Sequence, residues 1–223
     1  MPLEPHHLDV NEFPAAHPCA DPALYHADIA LLNYLLQDLR VLVRKAATGH
    51  TQITPYQSFT WDVHGLKRRT VVCDPDALLD ADDVLMVGFF GDRRQSGEAA
   101  EVDTAELDVI GEFARYPGIL SYSSIELIND QWANLVVHRH ASDRTDWRAS
   151  QVHIEAAEDL APLVYHSVRI HNGCIPSGPI GSGTVIIEST KYWDYDAAPT
   201  WHAVRTLPGG ATETLTGSTL EPA

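Results

Sequence analysis

The sequence predicts an α+β fold, and three observations carry that reading. Residues 84–171 alternate short β-type runs with longer runs of helical apolar spacing, in the order β-α-β-β-α-β. A separate helical repeat runs from Leu24 to Val43. Two alternating runs at 57–73 form a hairpin between these regions.

Residues 1–20 contain Pro2, Pro5, Pro14 and Pro18 with no apolar period, and read as an extended arm. Asp21-Pro22 is a helix start, with Asp as cap and Pro at the first helical position. Leu24, Ile29, Leu32, Leu36, Leu39 and Val43 then recur at helical spacing up to Lys45, and Gly49 stops the run. Leu31, Tyr34 and Val41 put apolar residues on more than one side, so this helix is expected between surfaces or at a subunit contact. Phe59 to Val63 alternates, His64-Gly65 makes a turn, and Leu66 to Cys73 returns. The segment 21–83 is therefore a helix plus hairpin extension.

Val84 to Phe90 is a short apolar run, expected as a buried strand, and Gly91 to Asp103 is polar and loop-like. Asp103 with Glu106 has capping-box spacing and opens a helix that Pro117-Gly118 ends. Strands are expected at 119–127 and 131–138. A helix from Asp143 or Thr145 to about Asp159 and a strand at 164–171 complete the unit. Gly173–Gly183 is a Gly/Pro-rich loop, and 185–195 is a further strand. The Gly-rich part lies between strands and lacks a following helix, so it reads as a hairpin loop and not as a phosphate cradle. Residues 196–223 have little pattern and are expected as a tail. The order over 84–171 is that of a ferredoxin-like split βαβ unit: an antiparallel sheet with both helices on one face. The other face needs a cover, such as a partner's sheet or an internal repeat.

Composition narrows the functional classes. Fifteen Lys plus Arg against 31 Asp plus Glu give a net charge of −16, which disfavours nucleic acid and anionic membrane surfaces as partners. Three widely spaced cysteines (Cys19, Cys73, Cys174) with no C-x-x-C argue against a disulfide framework or a zinc ribbon. The N-terminus lacks the basic and apolar regions of a signal peptide, and no apolar run approaches the ~20 residues that span a bilayer. The expectation is a cytoplasmic protein.

Asn134-Leu135-Val136-Val137 in the third strand and Trp147-x-x-Ser150-x-x-His153 in the second helix resemble the dimeric α+β barrel superfamily. That group holds antibiotic-biosynthesis monooxygenases, haem-degrading monooxygenases and polyketide cyclases. The resemblance covers residues 84–195 and implies a homodimer with a cavity between sheet and helices. It also implies a small-molecule enzyme of secondary metabolism acting on an aromatic or polyketide-like substrate, by oxygenation without a cofactor or with haem. Non-oxidative cyclisation or dehydration, or ligand binding without catalysis, are the other activities it implies. The chain departs from the haem-degrading pattern, whose histidine lies further along the helix, where Ala157 stands here.

A helical wheel at roughly 100° per residue puts Trp147, Ser150, His153, Ile154 and Ala157 on one arc, with Arg148, Gln151, Glu155 and Glu158 on the remainder. His153 should face the sheet, and burial would keep it neutral, fit for a general base. The bland alternative is a core histidine bonded to a neighbouring polar group. Strand alternation supplies partners. Trp132, Asn134, Val136 and His138 share a face opposite Ala133, Leu135 and Val137, and Tyr165 shares one with Arg169. The expected site has His153 as base, Asn134 and Arg169 holding the anion, and Trp132, Trp147, Tyr122 and Tyr165 as walls. His138-Arg139-His140 has two imidazoles at metal-compatible spacing but no third ligand nearby, so no metal site is expected.

Overall fold

The structure is a computed structural model that describes residues 4–63, 65–94 and 99–212. Its elements are β1 (His6–Leu8), α1 (Leu24–Ala47), β2 (Gln57–Val63), β3 (Leu66–Val72), α2 (Pro75–Asp80), β4 (Val84–Arg93) and α3 (Ala99–Glu112). There follow β5 (Ile119–Glu126), β6 (Gln131–His138), α4 (Ala141–Arg148) and α5 (Gln151–Ile154). A π turn at Glu155–Leu160 leads into α6 (Ala161–Val164), then β7 (Tyr165–Ile175), β8 (Ile186–Asp194) and β9 (Trp201–Ala211). The expected turn residue His64 and the side chain of Asp103 lie outside the described residues.

The strands form one nine-stranded sheet in the order β1-β9-β8-β7-β4-β6-β5-β3-β2. Every pairing is antiparallel except β1 alongside β9. The central order β7-β4-β6-β5 comes from the β-α-β-β-α-β segment. The hairpin β2–β3 extends it beyond β5, and β8 and β9 extend it beyond β7.

Alternation along β6 sets the two layers. Ala133, Leu135 and Val137 point into a core shared with α1, while Trp132 and Val136 point to the opposite side, among residues of α3, α4 and α6. The face left open for a second sheet in the sequence reading therefore carries α1. Ile29, Leu32, Leu35, Leu36 and Leu39 of that helix are fully buried, each contributing about 1.5–3 kcal/mol of apolar burial. Tyr34 and Val41, by contrast, are exposed on its outer side. Close contact requires Gly88 in β4, where a Cβ would come within 2.8 Å of the Leu32 methyls.

The C-terminal segment differs from the sequence reading: within the expected tail, 201–211 is a strand paired along β8. The extended arm is fastened to it. Fully buried Arg205 donates to the carbonyls of Asp9 (3.1 Å), Glu12 and Ala20 (2.9 Å), and His17 stacks on Trp201 at 4.0 Å. The Gly-rich loop joins β7 to β8, and its carbonyls accept from α1: Arg40 donates to Pro179 (2.7 Å) and Gly183, and Arg44 to Ile180 (2.8 Å). Gly178 is required there, since its φ is +71° and a Cβ would meet the Ala81 carbonyl at 1.8 Å.

Asp74 caps α2, accepting from the Ala77 N–H at 2.9 Å, and also pairs with Arg139 at 2.8 Å. That ion pair is substantially exposed and adds little. Asp74→Ala is expected to cost about 1 kcal/mol in urea unfolding, the usual worth of an N-cap. A loss below a few tenths would mean the cap is not made in solution.

Candidate functional site

A cavity lies between the sheet and the helices α3 to α6, in two adjoining lobes of about 200 and 150 Å³. Phe89, Val109, Tyr122, Asn134, His153 and Ile170 line both. The larger lobe is aromatic and apolar, closed by Trp132, Tyr165, Leu160 and Val164. The smaller is basic, with His138, Arg144 and Arg148 beside Trp147.

His153 stands at the junction, in the first turn of α5. The turn begins at Ser150, whose extended backbone (φ −63°, ψ 132°) breaks the helix after Arg148 and whose hydroxyl accepts from the His153 N–H. The expected continuous helix from Asp143 to Asp159 is thus two helices. The Trp147 indole meets the His153 ring edge-on at 5.2 Å and 73°. Burial, reinforced by the Arg148 charge, holds the His153 imidazole below its ordinary pKa, so it is neutral near pH 7. Asn134 reaches the same space from the cavity face of β6.

Glu106 of α3 also lines the aromatic lobe. Its carboxylate accepts from the Tyr122 hydroxyl (2.9 Å) and the Ser124 hydroxyl (2.6 Å) and pairs with Arg69. Burial and the Glu106 charge push the Tyr122 phenol well up, so it remains a fixed donor. The Tyr165 phenol is likewise raised by burial, partly offset by Arg93. Arg93 lies over the Trp132 ring at 4.3 Å and fixes that wall.

Arg169 is not in the cavity. It lies on the α1 side of the sheet, donating twice to Asp28 at 2.6 Å and 2.6 Å. The cause is a register shift: Asp92 pairs with Ser167 but Arg93 with Tyr165, so His166 is skipped. One extra residue reverses the facing beyond it, separating Tyr165 from Arg169. The cations that do face the cavity are Arg144 and Arg148, with buried His138 on the sheet below them. Arg148 escaped the helical wheel because the wheel assumed no break at Ser150. Glu106 carried a signal in the sequence, but as a capping residue.

Two solved structures resemble part of this chain. Protein SO0527 from Shewanella oneidensis is 9% identical with a TM-score of 0.38, over 42% of this chain and 91% of that one. SnoaB, a cofactor-independent oxygenase from Streptomyces nogalater, is 19% identical with a TM-score of 0.34, over 44% of this chain and 94% of that one. No protein-family model matches the chain, and no curated protein matches it.

The residues present do not suit a haem: Ala157, where the haem-degrading pattern has its histidine, lines the larger lobe, and Trp147 packs edge-on against the His153 ring at 5.2 Å. Among the described residues no three His, Cys, Asp or Glu side chains are grouped to hold a metal ion. His138 and His140 do not act as a pair: His138 is buried, while His140 starts α4, its N–H donating to Asp143 at 2.7 Å. No helix among the described residues is long and apolar enough to cross a membrane.

Proposed function

We propose that the chain is a small-molecule enzyme that removes a proton from an aromatic or polyketide-like substrate and oxygenates it without a cofactor. The carrying observation is His153, a neutral imidazole opening onto an aromatic-walled cavity, with the Asn134 carboxamide lining the same space. A neutral imidazole takes a proton from an activated methylene or phenol. The carboxamide of Asn134 donates to the oxygen on which the charge develops. The electron-rich anion then reacts with O₂. In sum a CH₂ group and O₂ give a C=O group and water, the abstracted proton leaving in that water.

The order β7-β4-β6-β5 supports a ferredoxin-like core of the α+β barrel type. In the related dimeric barrels the open sheet face meets a partner. Here α1 occupies that face, so a homodimer would use another surface. Three free cysteines support a reducing, cytoplasmic setting.

The test is oxygen uptake with a panel of polycyclic phenols bearing an acidic methylene. Uptake is expected from the wild type, and His153→Ala is expected to lower its rate at least about a hundred-fold, with the circular dichroism spectrum unchanged. Equal rates would remove His153 as the base. Conversion without oxygen uptake would move the protein to the cyclases or dehydratases.

A further inference from the structure

The chain is strongly acidic, yet among the described residues one lobe of its cavity is lined by cations and by no carboxylate. Arg144 and Arg148 lie one turn apart on α4, and both donate to the side-chain oxygen of Asn172, at 3.3 and 2.9 Å. Lys191 of β8 sits opposite Ile170, which lines the cavity, and so faces the same side. None of these three cations has a carboxylate within 4.0 Å among the described residues. Like charges at i and i+4 repel along a helix, and one neutral carboxamide oxygen does not neutralise them. His138 supplies a second, independent sign. It is 1% exposed and lines the lobe, and its Nδ1 has no hydrogen-bond partner. Other arginines do meet carboxylates, as Arg68 meets Asp38 and Arg139 meets Asp74.

We infer that the basic lobe is a carboxylate anchor: Arg144 and Arg148, with the charge of Lys191 on the same side of the sheet, hold a carboxylate of an aromatic ligand whose body fills the aromatic lobe. Guanidinium forks match a planar carboxylate. The lobe is too small for a bulky anion and is continuous with apolar walls, so the charge is carried on a hydrophobic body. His153 lines both lobes, which places the ring atoms nearest the carboxylate beside the imidazole. The inference rests on the reading of this cavity as a substrate site, but it is read by equilibrium binding, without turnover.

Calorimetric titration of 2-naphthoate against the isosteric, neutral 2-naphthamide tests it. The wild type should bind naphthoate at least tenfold tighter, with an affinity that falls as salt rises. Arg148→Gln should reduce naphthoate to the level of the amide, and Arg148→Lys should restore part of the difference. Arg115→Gln, at an exposed arginine paired with Glu112, should change nothing. If Arg148→Gln fails to fold, Lys191→Gln serves, with a smaller loss of the same sign. Equal binding of acid and amide by the wild type overturns the anchor. So does displacement of naphthoate by inorganic phosphate at low millimolar concentration, which would make the lobe a free-phosphate site. Selective naphthoate binding without oxygen uptake keeps the anchor and removes the oxygenase reading; oxygen uptake without that selectivity does the reverse.

Discussion

Asp28→Ala is expected to lower the unfolding free energy by about 3–5 kcal/mol, the usual cost of breaking a buried ion pair by removing one partner. Asp28 is 2% exposed, on the sheet-facing side of α1. Its carboxylate takes two bonds from Arg169 and one from His171 Nε2 at 2.9 Å. These contacts outweigh burial and hold the Asp28 carboxyl below its ordinary pKa. Burial keeps His171 neutral, so its one N–H is spent on Asp28 and its Nδ1 accepts from Thr190 at 2.8 Å. The same logic orients Tyr25 toward Thr190 (2.7 Å), Tyr192 toward Tyr25 (2.9 Å) and Arg205 toward Tyr192 (2.6 Å). Removing the carboxylate leaves the Arg169 cation buried without a counter-charge at one end of this chain. A guanidinium cannot shed its proton to relieve that. The double variant Asp28→Leu with Arg169→Met removes both charges and should recover more than half of the loss. Urea unfolding reads both, and a loss under about 1 kcal/mol for Asp28→Ala would show the pair to be solvated in solution.

That pair also explains the main error in reading the site from sequence. Strand alternation correctly separated Ala133, Leu135 and Val137 from Trp132, Asn134 and Val136, because β6 is regular over its whole length. In β7 the same rule failed, since one skipped residue between Tyr165 and Ser167 reverses the facing and leaves no mark in composition. Helix α4 posed the matching difficulty. Ser150 is unremarkable inside a helical wheel, but as a cap it ends one helix and starts another, and the phase carried from Trp147 to His153 is lost. Strand β9 was hidden for a third reason. Its inward positions are Ala203, Arg205 and Leu207, and a buried arginine in the middle conceals the alternation. Each miss is a case where one residue's tertiary role overrides a pattern that the neighbours otherwise keep.

Acid is expected to destabilise the fold well before its carboxylates titrate. His138 is pushed down to about 3 by burial and by the Arg144 and Arg148 charges, from an ordinary value of 6.5. A depressed folded pKa contributes stability above the unfolded value, and that contribution is lost as pH falls. Between pH 6.5 and about 3 the unfolded chain takes up a proton at this site that the folded chain refuses. At pH 5.0 the deficit from His138 alone is about 2 kcal/mol, at 1.36 kcal/mol per pH unit. His153 and His171 are shifted in the same direction and add to it. Asp28, depressed below 3.8, keeps its full contribution above that value, so it is unchanged between pH 7.5 and 5.0, and begins to lose it only below pH 3.8. Urea unfolding at pH 7.5 and 5.0 should therefore show a large drop for the wild type and a smaller one for His138→Gln. Identical drops would mean that His138 protonates freely in the folded state. The neighbouring arginines make a sharper comparison. Removing one cation in Arg148→Gln should raise the folded pKa of His138 and flatten the slope without touching the imidazole. The same unneutralised charges that would hold a carboxylate are then seen to act on the buried imidazole beneath them, through two unrelated measurements.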